Sequence, residues 1–317
     1  MKNTRIQKPV GRPRILYYHM VAENTPPFYT KTPVNVSTFV SQIRYFKRRY
    51  RLVSLSEAIQ TIQQGEHSEP SIALTFDDGF KECHSIIAPV LLKEGISATF
   101  FLTNTCIDNA TLMWRNKLAY IQRMVPSAQL RRIMLETCSN FLLEPPYYRE
   151  NLMKWSERCW NMRDKTLLAD FIWEHAKCPP EEEFLSRYTP YLSGEQIDDL
   201  IADGFSIGSH THSHPDCRKL TFAELKYEII DSMNDLSARF RTCVDSCAYP
   251  FGLRPEDLME AQLISQYPWV KSLLGNKSMN TNGPDPLKWE RDNMEFGMTK
   301  CLLRFYLLPL LRRARIL

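Results

Sequence analysis

The stretch Ser71-Ile72-Ala73-Leu74-Thr75-Phe76 is apolar or β-branched almost throughout, and it runs straight into Asp77-Asp78-Gly79. A run of this composition and length reads as a buried strand. Two adjacent carboxylates at its end are costly to bury unless a cation, a proton donor or a metal meets them. The rest of the chain must fold so as to deliver that partner. The sequence has 7 histidines, and three of them fall in Gly208-Ser209-His210-Thr211-His212-Ser213-His214-Pro215. Imidazole and carboxylate together suit a divalent transition metal such as zinc.

Strands and helices alternate around this stretch. Arg14-Ile15-Leu16-Tyr17-Tyr18-His19 reads as a short strand that ends on a histidine beside the loop Glu23-Asn24-Thr25-Pro26-Pro27. Ser37 opens a helix with Phe39, Val40, Ile43 and Phe46 on one face, and Ser54-x-x-Glu57 is a capping-box pattern for a second helix that stops at Gly65. A third helix carries Ile86 to Leu92 and ends at Gly95, before a strand from Ser97 to Leu102. Further on, Ser193-x-x-Gln196 and Thr221-x-x-Glu224 repeat the capping pattern, and Phe205 to Ser209 is the strand that delivers the histidines. Asp245 to Phe251, Pro268 to Gly275 and Leu287 to Met294 read as late strands. This alternation is that of parallel β/α units.

From about Asn104 to Pro190 helical runs around Trp114 to Leu135 and Trp155 to His175 break the pattern. Residues 1–103 and 191–300 thus read as one β/α domain, 104–190 as a helical insertion, and 301–317 as an apolar and basic C-terminal tail. Ordinary β/α connections run about 2 to 6 residues. The insertion is therefore either a lid or binding wall, or a helical elaboration that only packs on the domain. Trp114-Arg115 and Tyr147-Tyr148 are candidates for stacking on a sugar. The tail packs on the domain or on another subunit in one reading. In the other it meets a membrane surface, with Arg312, Arg313 and Arg315 on lipid phosphates.

A formal charge of +4 is too mild for a nucleic-acid partner, and no basic, aromatic-interleaved patch is visible. The basic N-terminus leads into no apolar segment of the kind a signal peptide needs. Nine cysteines without a C-x-x-C pair do not form a disulfide framework, which points to a reducing, cytoplasmic setting. Cys217 stands near the histidines and is either a further ligand or a packed thiol.

Histidines four apart project to one side of a turn or helix, so His210 and His214 can hold one metal while His212 points elsewhere. Adjacent aspartates on a strand face opposite ways, so one binds and the other serves as a base. Two histidines and one carboxylate leave metal positions open, as a hydrolytic site requires.

Thr75-Phe76-Asp77-Asp78-Gly79, His210-Thr211-x-Ser213-His214 and Tyr249-Pro250-Phe251-Gly252 resemble the first three motifs of the polysaccharide deacetylases, carbohydrate esterase family 4, with its NodB homology domain. The resemblance spans most of the chain outside the insertion and tail. It implies a distorted (β/α) barrel with a metal at the C-terminal ends of the strands. It also implies that Asp78, His210 and His214 are ligands, that Asp77 is the general base, and that a backbone N–H at Phe251 helps polarise the acetamide carbonyl. Two departures stand out. The arginine that opens the third motif is replaced near Ala248, which makes Arg291 a candidate to steady the base. No histidine follows His214, whereas relatives with permuted motifs carry the acid in an early Tyr-His; Tyr18-His19 matches that pattern and makes His19 the expected general acid. The implied activity is metal-dependent N-deacetylation of an N-acetylated amino sugar or polysaccharide, on a precursor or lipid-linked glycan if the protein works inside the cell. The alternatives are a deformylase or other amide hydrolase, and a glycan-binding protein that keeps the metal but has lost turnover.

Overall fold

The computed structural model describes residues 13–64, 69–277 and 288–307. Gly65, Leu287, the residues before 13 and the tail arginines Arg312, Arg313 and Arg315 lie outside the described residues. The centre is one sheet of short parallel strands: β1 (Arg14–Tyr18), β2 (Arg51–Leu52), β3 (Ser71–Phe76), β4 (Thr99–Leu102), β5 (Ser206–Ser209), β6 (Ser246–Ala248), β7 (Ser272–Gly275), β8 (Lys288–Glu290) and β9 (Asp292–Asn293). They are hydrogen-bonded in the order β8-β7-β6-β5-β4-β3-β1-β9, with β2 paired to β3 off this path. Only Arg291 separates β8 from β9. Trp289 pairs with Leu274 and Glu290 with Gly275 on one side, while Asp292 pairs with Leu16 and Asn293 with Tyr17 on the other. Both ends of the sheet are thus halves of one segment, and the sheet closes there into a distorted (β/α) barrel.

Side chains alternate across each strand, so every second residue enters the barrel. Ile15, Ala73, Phe101, Ala248, Leu274 and Trp289 pack together inside, joined by Leu55, Ala58 and Ile59 of α2 (Leu55–Gln63). Their strand neighbours Leu16, Leu74, Phe100 and Leu273 belong to a larger core shared with the surrounding helices. Counting on by two along the inward series reaches Thr75 and Asp77 from Ala73, His210 from Gly208, and Arg291 from Trp289. The same periodicity that fills the barrel with apolar groups therefore carries the polar residues to its C-terminal mouth.

Local sequence explains most element boundaries. Helix α1 (Val36–Arg49) is capped by Asn35, whose side chain accepts from Ser37 N–H, so Ser37 falls inside the first turn. Ser54 accepts from Glu57 N–H at the start of α2, but the Glu57 carboxylate turns to Arg51, and the capping box is half made. The boxes at Ser193/Gln196 and Thr221/Glu224 are complete. The late strand expected over Asp245 to Phe251 is cut to three residues because Tyr249-Pro250-Phe251-Gly252 turns away after Ala248. Residues 104–190, expected as an insertion, are largely helical: after α3 (Ala88–Glu94) come α4 (Trp114–Met124), α5 (Ser127–Phe141), α6 (Leu152–Cys159), α7 (Lys165–His175) and α8 (Glu181–Tyr188), and α9 (Gly194–Ala202) follows them. The start of the tail packs on its own domain: Cys301 is buried, and Phe305 lies against Phe46 and under the Arg14 guanidinium. Among the described residues no helix is long and apolar enough to cross a membrane.

Gly208 is required by packing. A Cβ there would stand 2.3 Å from Phe101 Cε1 and 3.1 Å from the Ser246 carbonyl oxygen. Gly208→Ala should therefore destabilise the fold by about 1–3 kcal/mol. Urea melts of parent and variant check this, and a variant as stable as the parent would show that Phe101 yields freely.

Candidate active site

The first carboxylate stays in register with β3 and points into the barrel. Asp77 accepts two parallel bonds from Arg291, at 2.7 Å to Oδ1 and 2.8 Å to Oδ2. Arg291 also donates to Thr75 Oγ1 at 3.1 Å and to the Gly275 carbonyl at 3.2 Å. Both partners are buried, at 2% and 1% exposure. Burial works against the charged form of Asp77, but the guanidinium outweighs it and holds the carboxyl below its ordinary value.

Asp78 leaves the strand in a left-handed conformation with φ of 72°. The turn, rather than strand alternation, separates its carboxylate from that of Asp77. Asp78 Oδ1 lies 3.3 Å from His210 Nε2 and 3.4 Å from His214 Nε2, and all three residues are buried. The ligand atoms that this trio offers lie within 4.8 Å of one another. His210 Nδ1 sits 2.7 Å from the Ala248 carbonyl, an acceptor, so Nδ1 donates there and Nε2 is the nitrogen that faces Asp78. His214 is pushed down to about 4 by burial and is neutral at ordinary pH. Asp78 Oδ1 and His214 Nδ1 are buried without a hydrogen-bond partner. Two imidazole nitrogens facing a buried carboxylate oxygen that has no hydrogen-bond partner are a donor set that a divalent metal fits. His210 and His214 reach this point from an irregular loop, not a helix, with Thr211 at φ 70° and His214 at φ 56°.

On the other side of a cleft of about 100 Å³ stands His19. Tyr17 pairs with Asn293, so two residues further along, His19 and Glu295 are neighbours. His19 Nδ1 is 2.8 Å from Glu295 Oε1, which also accepts from His19 N–H at 2.9 Å. Tyr29 OH, Lys31 Nζ and Asn293 Nδ2 also donate to Glu295, at 3.2, 3.1 and 3.5 Å. With Nδ1 engaged, Nε2 is the nitrogen left to exchange a proton. Burial opposes the imidazolium, but the Glu295 carboxylate wins and raises His19 above its ordinary value; Glu295 itself is held below the usual carboxylate range. Phe251 lines the same cleft in a left-handed conformation at φ 58°, with its carbonyl accepting from Asn276 Nδ2 at 2.9 Å.

The remaining candidates fall elsewhere. Trp114 is buried and donates from Nε1 to the His214 carbonyl at 2.9 Å, so it offers no face to a sugar. Its neighbour Arg115 does line the cleft. Tyr147 and Tyr148 are exposed but do not line it, and Tyr147 lies under the Arg158 guanidinium. His212 packs on Tyr227, outside the trio, and Cys217 is a buried thiol. Glu295, Lys31 and Asn276 were not singled out from the sequence. Only the register of β9 against β1 would have pointed to Glu295.

A family model described as polysaccharide deacetylase matches residues 64–137 and 171–267, more than half of the chain. The chain belongs to the polysaccharide deacetylase family. Members of this family are hydrolases that act on non-peptide carbon–nitrogen bonds and deacetylate N-acetylated glycans. The fold of this polysaccharide deacetylase is similar to that of the Streptococcus pyogenes deacetylase PplD in complex with acetate, at 17% identity, TM-score 0.57, and coverage of 90% of this chain and 94% of that one. It is similar also to IcaB from Ammonifex degensii, at 15% identity, TM-score 0.55, and coverage of 90% and 93%. The deacetylase domain of BpsB from Bordetella bronchiseptica matches at 13% identity, TM-score 0.53, and coverage of 90% and 98%. A sequence search of curated proteins found no match.

The deacetylase's His19 pair gives a signed pH dependence. Its folded value lies above 6.5, so the pair contributes stability that is fully present below that pH and lost as pH rises through the raised value. Lys31 faces Glu295 as well and stays charged throughout. Glu295→Gln should therefore cost more stability near about pH 6 than near about pH 9 in denaturant melts. Equal costs at both would count against the assignment.

Proposed function

We infer that the protein removes the N-acetyl group from an N-acetylated amino sugar within a glycan, releasing acetate and a free amine. The reading rests on one observation: two titratable groups, Asp77 and His19, flank one cleft beside a buried Asp-His-His set that fits a metal, and their surroundings push them in opposite directions. Asp77 is kept as a carboxylate and His19 as a proton carrier, which is how base and acid are told apart.

Asp78, His210 and His214 would hold one divalent metal, with zinc favoured by two imidazole nitrogens and one carboxylate oxygen. When bound, such a metal supplies Lewis acidity, polarising the amide carbonyl and making water more acidic. Asp77 accepts the proton of the attacking water, and Arg291 keeps its carboxylate aimed at the cleft. The backbone N–H of Phe251 donates to the oxygen that gains charge. His19 delivers a proton from Nε2 to the leaving nitrogen, and Glu295 orients the ring and favours its protonated form. Acetate in the PplD structure supports acetyl over formyl as the group removed. Nine cysteines that are all free thiols support a reducing compartment, where a precursor or lipid-linked glycan on the cytoplasmic side would be the substrate, and where the tail would meet the membrane face or a second subunit.

Amine and acetate release from acetylated and formylated oligosaccharides, with and without chelator, tests the reaction. Elemental analysis should find about one divalent metal per chain, lost in Asp78→Ala and kept in His212→Ala. His19→Ala should lower kcat by roughly 10²- to 10⁴-fold with metal content unchanged. Near-normal turnover in that variant would remove His19 from the mechanism. Metal retained in Asp78→Ala would overturn the ligand set.

A further inference from the structure

The helical insertion reaches behind the proposed metal ligands as well as into the cleft. The loop from His210 to His214 carries two non-glycine residues at positive φ, Thr211 and His214. Such a backbone persists only where its surroundings over-determine it. Glu228 supplies three of the bonds that do so. Its carbonyl accepts from His212 N–H at 2.9 Å, its Oε2 accepts from Ser213 N–H at 2.8 Å, and its Oε1 accepts from the Ser213 hydroxyl. Glu228 lies in Tyr227–Asp231, a wide π-type turn between α10 (Phe222–Lys226) and α11 (Ser232–Phe240). Wide turns of this kind recur at functional sites.

The opposite side of Ser213 belongs to the insertion. Lys165, the first residue of α7, donates from Nζ to Ser213 Oγ at 2.8 Å and to the Met162 carbonyl at 3.1 Å. A hydroxyl has one proton and can accept others, so Ser213 donates to Glu228 and accepts from Lys165 without conflict. Lys165 and Glu228 are each 6% exposed, and the hydroxyl links two buried opposite charges. The insertion holds the loop a second time through Trp114 Nε1 on the His214 carbonyl. None of these bonds touches a ligating nitrogen of His210 or His214. All of them fix the backbone from His212 to His214, and with it the position of the second imidazole.

We propose that Lys165 and Glu228, acting through Ser213, are positioning residues for the metal ligands, so that the insertion sets metal affinity from outside the ligand shell. This rests on the metal reading above. Partners that orient ligands typically change metal affinity by about 10- to 100-fold when removed.

The test measures zinc affinity of the full chain by competition with a chelating dye, for the parent, Lys165→Met, Ser213→Ala, Glu228→Gln and the Lys165→Met/Ser213→Ala double variant. Each single change should weaken zinc binding by about 10- to 100-fold. The double variant should bind about as weakly as the weaker single, because both changes break one connection. Affinities within about twofold of the parent for Lys165→Met and Ser213→Ala would overturn the proposal, as would factors that simply multiply in the double variant. Should Lys165→Met fail to fold, Ser213→Ala removes one hydroxyl only and decides the matter by the same threshold. A parent that takes up no zinc would overturn the metal reading itself. A parent that binds one zinc tightly, beside unchanged variants, overturns this inference alone.

Discussion

The paired bonds between Asp77 and Arg291 are the interaction on which the rest depends. Arg291 is the one residue between β8 and β9, where the closing segment passes from the edge of β7 to the edge of β1. Its guanidinium crosses the barrel mouth to the end of β3. Burying either charge alone would be prohibitive, and removing one partner from such a pair costs about 3–5 kcal/mol. The fork of the guanidinium, matched to both carboxylate oxygens and backed by Thr75 and Gly275, makes the burial tolerable. One arginine therefore joins the seam of the barrel and holds the residue proposed as base, so closure of the fold and preparation of the site are a single event. On the outer side of the same segment Asp292, fully buried, is met by Arg14 and Arg304, which secures β9 against β1.

Register then distributes the remaining chemistry. Since β9 runs beside β1, His19 receives Glu295, and since β3 runs beside β1, the Asp77 N–H donates to the Tyr18 carbonyl one residue before His19. The proposed acid and base thus stand on adjacent strand ends, yet each has its own counter-charge: a carboxylate for the imidazole and a guanidinium for the carboxylate. Opposite partners push the two groups apart in proton affinity without any need for distance between them. Left-handed backbone at Asp78, Thr211, His214 and Phe251 gathers at the same mouth. These turns aim side chains that a regular strand would send elsewhere, and the hydrogen bonds around them supply the support.

The parts legible in the sequence were those coded locally. The apolar run into two aspartates, the histidine spacing and two of three capping boxes depend on residues within a few positions of one another. Arg291 was reachable only through a missing partner, since nothing local marks it. Glu295 had no local signature at all, because its role comes from the pairing with β1 of a two-residue strand distant from it in sequence. Trp114 shows the opposite failure. An aromatic beside an arginine suggested a sugar platform, but the indole N–H was needed by the His214 carbonyl, and tertiary demand overrode the composition cue.

The helices of residues 104–190 form part of the cleft wall. Met113, Arg115 and Asn116 at the start of α4 line the cleft. A flap that opens on each turnover is drawn from weakly held structure, and this end of α4 is held firmly. Asn116 donates to the Phe28 carbonyl and accepts from Tyr191 OH, both at 2.8 Å. Lys117, the next residue, is buried between Asp170 of α7 and Glu181 of α8, at 2.5 Å from each. Moving α4 would break that buried lysine from both carboxylates and pull Trp114 from the loop of His214. The cost of opening would fall on the proposed metal ligands themselves, which favours a fixed wall that shapes the cleft over a lid that swings across it.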